Sequence, residues 1–206
     1  MDNKIIFTIA IFIFLVFGCI GENPIDKQKN NQTNLSNSSE EPQEIALYLF
    51  NNREDNISYS IQHPIKWQVN ESENRSVLFT DNNESYMEIK ITVQKSSNVA
   101  PETLLFMYNQ VFEEDLNKSK DLVGDVTKSE VYTNPDGLRF SLIVADVKYL
   151  LEDKDTGVPI GIDLTMSVAA YSSDKATYTF SLISEKEKFE SAEKEFVGLI
   201  NTFKEY

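Results

Sequence analysis

Ile57-Ser58-Tyr59-Ser60-Ile61-Gln62-His63-Pro64-Ile65-Lys66-Trp67-Gln68-Val69 is the stretch on which the fold of this chain turns. Ile57, Tyr59 and Ile61 alternate with serines and a glutamine, the period of a strand with one buried face. Pro64 has no N–H to give a ladder, so the strand stops there, and Trp67 and Val69 resume beyond it. Working outward, strand patterning begins at Ile45. Downstream, Val77-Leu78-Phe79 leads across an Asn-rich turn to Met87, Ile89, Ile91 and Val93, which alternate with Glu88, Lys90, Thr92 and Gln94. These segments are expected to be neighbouring antiparallel strands. Pro101-Glu102 opens a helix, because proline suits the first turn and acids suit its positive end. Leu104, Leu105, Tyr108, Val111, Phe112 and Leu116 form its apolar stripe, and its opposite face is expected to be polar.

Strands resume at Val126 to Thr133, turn at Asn134-Pro135-Asp136-Gly137, and return with Leu138, Phe140, Leu142 and Val144. A second break, Glu152 to Gly157, leads to Ile160, Ile162, Leu164, Met166 and Val168, and Ser172-Ser173-Asp174 turns into Tyr178, Phe180 and Leu182. Phe189, Ala192, Phe196, Leu199, Ile200 and Phe203 then make the apolar stripe of a terminal helix that must cover the sheet. The fold class expected is α+β: an α/β/α-type sandwich with a mainly antiparallel central sheet flanked by helices.

The chain opens differently. An apolar run from Ile5 to Phe17 is shorter than the roughly 20 residues that span a bilayer as a helix, and it ends in Gly18-Cys19. This resembles a prokaryotic lipoprotein signal, which implies cleavage after residue 18 and lipid on Cys19, giving two hydrophobic chains and stable anchoring. An uncleaved signal anchor is the alternative, and both put the chain on a membrane. Residues 19–44 are the expected linker: between Glu22 and Glu44 they hold no aromatic residue and only Ile25 and Leu35 as aliphatics, too little apolar surface to offset the entropy of ordering. Residues 45–206 are the expected domain, long enough to bury a core.

With 19 Lys and Arg against 33 Asp and Glu, the formal net charge is −14, so nucleic acid and anionic lipid headgroups are not expected partners. The anchor should be lipid alone. Cys19 is the one cysteine, which removes disulfides, thiolate metal sites and cysteine nucleophiles from the remaining chain. Asn-x-Ser/Thr sequons at Asn31, Asn34, Asn37, Asn56, Asn70, Asn74, Asn83 and Asn117 are candidate glycosylation sites.

His63 is the one histidine, and at a strand end before proline it is expected to replace a packing aromatic. Trp67 is read as a core anchor. Asp153, Asp155 and Gly157 make only a fragment of a calcium loop, without its closing glutamate. Glu113-Glu114-Asp115 point in different directions on a helix and are read as a solvated face. No serine stands in a nucleophile elbow and no glycine pattern cradles a phosphate. No catalytic residue, metal ligand or cofactor is expected.

The run Ile57 to Val69 resembles the opening motif of the PsbP-like domains, and Phe196-Val197-Gly198-Leu199-Ile200-Asn201-Thr202-Phe203 resembles their last helix, which ends in a small hydroxyl residue and phenylalanine. The chain departs from the motif at His63, where an aromatic residue is usual. No motif is present onto which the metal-binding residues of photosynthetic members could be carried. The resemblance implies a non-enzymatic binding, assembly or scaffolding module at the extracytoplasmic face of a cell membrane, with a protein partner. A solute- or ion-binding lipoprotein is the alternative, and a hydrolase built on paired carboxylates is a third.

Overall fold

The computed structural model describes residues 44–52, 56–72, 76–81, 88–95, 98–118, 122–152 and 159–206. The expected signal segment, and the linker up to residue 43, lie outside the described residues. Among the described residues, ten strands and two α-helices follow in the order β1 (Ile45–Asn52), β2 (Ile57–Pro64), β3 (Trp67–Ser72), β4 (Ser76–Asp81), β5 (Glu88–Lys95), α1 (Pro101–Lys118), β6 (Leu122–Thr133), β7 (Arg139–Glu152), β8 (Pro159–Ser172), β9 (Ala176–Glu185), α2 (Phe189–Thr202) and β10 (Lys204–Glu205), with a 3-10 turn, Lys186–Lys188, leading into α2.

The fold is α+β with antiparallel pairing throughout, as the alternation predicts. The strands form two sheets, not one: a seven-stranded sheet in the order β3-β4-β5-β9-β8-β7-β6, and a three-stranded sheet in the order β1-β2-β10. The chain changes sheet at the Pro64-Ile65-Lys66 corner. There the Ile65 N–H donates to the Glu44 carbonyl at 2.8 Å, and Lys66 pairs with the buried Asp81 carboxylate at 2.9 Å. Two strands that look like neighbours in sequence are thereby sent into different layers.

Both faces of the large sheet are covered, each by one helix. On one face, Phe196, Leu199 and Ile200 of α2 and the inward residues Tyr48, Phe50, Ile57, Tyr59 and Ile61 of the small sheet meet Ile89, Ile91, Phe140, Tyr178, Phe180 and Leu182. On the other, Leu104 and Tyr108 of α1 pack on Ile143, Val168 and Ala170, while Phe112 and Leu116 reach Ala145, Val147 and Met166. Alanines at the sheet positions let helix and sheet approach closely.

The terminal helix ends one residue earlier than its apolar stripe. Thr202 closes α2, and Phe203 is extended at φ −64°, ψ 130° and fully buried between the two sheets. That break frees Lys204 and Glu205 to pair with Ser60 and Tyr59 as β10. The β6–β7 turn is built as its sequence predicts, with Gly137 at φ 84° and its N–H donating to the Asn134 carbonyl at 2.9 Å. The Asn134 side chain is buried and donates to the Ile200 carbonyl near the end of α2 at 3.3 Å, tying turn to helix.

Candidate functional site

The groups capable of chemistry are mostly spent inside the core. His63 lies on the inward side of β2, its ring 5.2 Å from that of Phe79, and its Nδ1–H donates to the Pro64 carbonyl at 2.9 Å. Desolvation lowers its pKa, so the ring is neutral at physiological pH. The expectation that it stands in for a packing aromatic matches this placement. Trp67 is buried 6.5 Å from Phe79, and its indole N–H has no hydrogen-bond partner among the described residues.

Two carboxylates line the seam between the sheets. Tyr48 donates to Glu71 at 3.0 Å. Glu205 receives Tyr178 at 2.9 Å, Ser173 at 2.6 Å and Tyr171 at 3.4 Å. Burial, reinforced by these negative neighbours, pushes the Tyr48 and Tyr178 phenols far above their ordinary range, so they remain neutral donors. Tyr59, stacked on Phe50 at 5.0 Å, is fully buried with a hydroxyl that has no partner among the described residues. The arrangement closes two layers on one another, and the two carboxylates accept from different phenols.

Of the other residues singled out in the sequence, Cys19, Asn31, Asn34, Asn37, Asn74, Asn83, Asp153, Asp155 and Gly157 lie outside the described residues. Asn56 is exposed in the turn before β2 at φ 55°, and Asn70 is exposed on β3. Asn117 falls in the last turn of α1. Glu113 and Glu114 are exposed on the same helix. Among the described residues, no three His, Cys, Asp or Glu side chains are grouped to hold a metal ion. No described helix is long and apolar enough to cross a membrane.

What the sequence reading missed is on the surface. The outer side of α1 is not uniformly polar as expected: Phe106 is 68% exposed and Met107 52% exposed. The apolar stripe that packs on β7 and β8 leaves these two turned away from the sheet. A second group of outward apolar side chains runs along β1 on the outside of the small sheet. Because Tyr48 and Phe50 point inward, Ile45, Leu47 and Leu49 point outward, and Leu49 is 56% exposed. Leu49 lies opposite Ser60 of β2, and Tyr206, 59% exposed, lays its hydroxyl 2.9 Å from the Ser60 Oγ. The signal was legible in Ile45 to Phe50, a run apolar in both phases, which a strand with one solvated face does not need.

The charge of this face differs from the rest. Outward positions on β1, β2 and β10 are Ile45, Leu47, Leu49, Asn51, Ser58, Ser60, Gln62, Pro64 and Lys204, with Tyr206 beyond, and none is Asp or Glu. In a chain of net charge −14 that is an uncommon surface. The Asp136 carboxylate reaches this face from the β6–β7 turn, 3.6 Å from Lys204. On the large sheet Asp146 accepts from Lys186 and from Thr165 at 2.7 Å each; both bonds, that from Lys186 foremost, hold the Asp146 carboxyl below its usual range.

No family model matches the chain, and no curated protein matches it. Solved structures do. The solution structure of cyanobacterial PsbP (CyanoP) from Synechocystis sp. PCC 6803 matches at TM-score 0.53 with 13% identity, covering 78% of this chain and 92% of that one. The crystal structure of LpqN, involved in cell envelope biogenesis of Mycobacterium tuberculosis, matches at TM-score 0.46 with 12% identity, covering 78% and 91%. The first of these shows that the two sheets and two helices form a PsbP-like fold.

Proposed function

We propose that this chain is a non-enzymatic binding or accessory module, held on the extracytoplasmic face of a cell membrane by lipid on Cys19, and that it acts by protein contact through the outer face of β1, β2 and β10. The observation that carries the reading is the row Ile45, Leu47, Leu49 with Tyr206 beside it, apolar and free of carboxylates on an acidic molecule. Apolar surface left in water at one place marks a contact site more often than chance exposure does. The location rests on the run Ile5 to Phe17 followed by Gly18-Cys19. The candidate base His63 is neutral and packed, and the seam carboxylates are occupied by phenols.

The test is crosslinking of the full-length lipidated protein in its own membrane, comparing wild type with Leu49→Lys and Met107→Lys. A partner recovered in fixed stoichiometry with wild type and Met107→Lys, and lost with Leu49→Lys, supports contact through the small sheet. Equal recovery from all three moves the contact elsewhere. A Cys19→Ser chain that stays membrane-bound after alkaline carbonate washing would remove the lipid anchor from the reading.

A second reading, solute binding, is favoured by one observation: the buried hydroxyls of Tyr59 and Ser167 have no partner among the described residues. A small ligand that raises the melting temperature of wild type but not of Tyr59→Phe supports it.

A further inference from the structure

We propose that the partner of the small sheet is a second copy of the chain, joined edge to edge and antiparallel through β1. This rests on the reading of the small sheet as the contact element, and places the contact at its β1 edge, where the outward Leu47 and Leu49 of two copies lie side by side.

Strand edges carry the argument. β1 is hydrogen-bonded to β2 on one side, and among the described residues no strand lies on its other side. An open edge is a template for another strand, and proteins blunt such edges with charge, proline or a bulge. This molecule blunts another of its edges in that way: β6 carries Asp125, Lys128 and Glu130, and its register breaks between Val126 and Lys128. On β1 the same devices are missing. Ile45-Ala46-Leu47-Tyr48-Leu49-Phe50-Asn51-Asn52 has no charge and no proline, and its register with β2 runs unbroken from Ile45↔Pro64 to Asn52↔Ile57. An edge without a bulge, uncharged and rich in strand-forming residues fits pairing, and the risk of open-ended aggregation is removed if the pairing closes on itself.

Antiparallel self-pairing about Tyr48 or Leu49 closes in that way. A two-fold axis normal to the sheet keeps outer face with outer face, so Leu47 and Leu49 of one copy sit beside Leu49 and Leu47 of the other when the axis passes Tyr48, and beside Asn51 and Leu49 when it passes Leu49. Charge does not oppose the pairing within the strand: two chains of −14 repel through much of their surface, whereas Ile45 to Asn52 carries no Asp or Glu. Position adds to it. Glu44, the residue before β1, is the end of the segment leading from Cys19, so copies anchored in one bilayer hold their β1 edges in a shared thin layer at raised effective concentration.

The experiment uses the full-length lipidated protein, in membranes for crosslinking and in neutral detergent for sedimentation. Leu49→Cys treated with a short bismaleimide should give a dimer, while Met107→Cys on α1 and the unaltered chain with its native Cys19 alone should not. In sedimentation the wild type should be dimeric and Leu49→Lys, with unchanged circular dichroism, should dissociate at least about tenfold more readily from placing like charges across the axis. Raising salt from about 0.05 M to 0.5 M should strengthen the dimer, because it screens the repulsion of two acidic copies. A monomeric wild type without the Leu49→Cys crosslink overturns self-pairing; if a different membrane protein is then still lost with Leu49→Lys, the contact reading survives alone, and if none is, both fall. A dimer that crosslinks through Met107→Cys instead also overturns pairing through β1.

Discussion

Phe203 shows how much a single residue holds. It leaves the last turn of α2 in extended conformation and enters the seam, with ring centroids 5.0 Å from Tyr178, 5.3 Å from Phe180, 5.7 Å from Tyr59, 5.8 Å from Tyr171 and 6.1 Å from Phe140. Truncation removes one partner from five aromatic pairs across both sheets and leaves a cavity that rigid strands cannot collapse. Phe203→Ala should lower stability by about 3–5 kcal/mol, read as a drop in the urea midpoint at unchanged slope. His63 gives a second test. Burial lowers its pKa in the folded chain below the ordinary value, so on acidification the unfolded chain takes up the proton first. Its contribution is therefore whole above about pH 6.5 and is lost as pH falls through the folded value. His63→Phe keeps the ring on Phe79 without that loss, so the stability difference between variant and wild type should grow in the variant's favour from about pH 7.5 to pH 5. A difference independent of pH would mean that the ring charges freely where it sits.

At the scale of elements, close approach sets the limits. A Cβ on Gly124 of β6 would stand 2.2 Å from the Asp146 carbonyl oxygen of β7, a backbone atom with no rotamer to yield. Gly124→Ala should cost about 1–3 kcal/mol, and hydrogen exchange should show faster exchange at β6 amides than at β9 amides. Equal protection in both strands would show that the edge absorbs the methyl group. The strands, the Asn134 to Gly137 turn and both helices were legible because alternation, turn residues and helical spacing are local properties. The division into two sheets was not. Alternation gives the phase of β2 and of β3 but not the layer each joins; β2 pairs with β1 and β3 with β4, and which partner each takes is a contact between separate segments that no local pattern records. The candidate surface was half legible. Ile45 to Phe50 is apolar in both phases, yet nothing local shows that only the inward phase meets a second layer, nor that Tyr206 returns over Ser60.

For the whole molecule, the joint between the two sheets is an aromatic layer closed at its polar margins by phenols that must stay protonated. Tyr48 to Glu71 fastens β1 to β3, and Tyr178 and Tyr171 to Glu205 fasten β9 and β8 to β10. Desolvation, with the nearby carboxylates, raises the pKa of Tyr48 and Tyr178 in the folded state, and Tyr59 is raised chiefly by burial. The sign follows directly: above about pH 10 the unfolded chain releases phenolic protons that the folded chain retains, so the stability these groups supply is whole below that value and falls as pH rises beyond it. Unfolding followed by tyrosinate absorbance should therefore show one cooperative step in which the buried phenols ionise as the sheets part. Tyr178→Phe deletes one of these alkaline losses along with a hydrogen bond to a charged acceptor. It should cost about 1.5–3 kcal/mol near neutrality and lose stability less steeply than wild type at alkaline pH, so that the two curves converge. Parallel curves, or tyrosinate appearing well before the fold is lost, would show that the seam admits hydroxide and that the joint between the sheets is held by its aromatic packing alone.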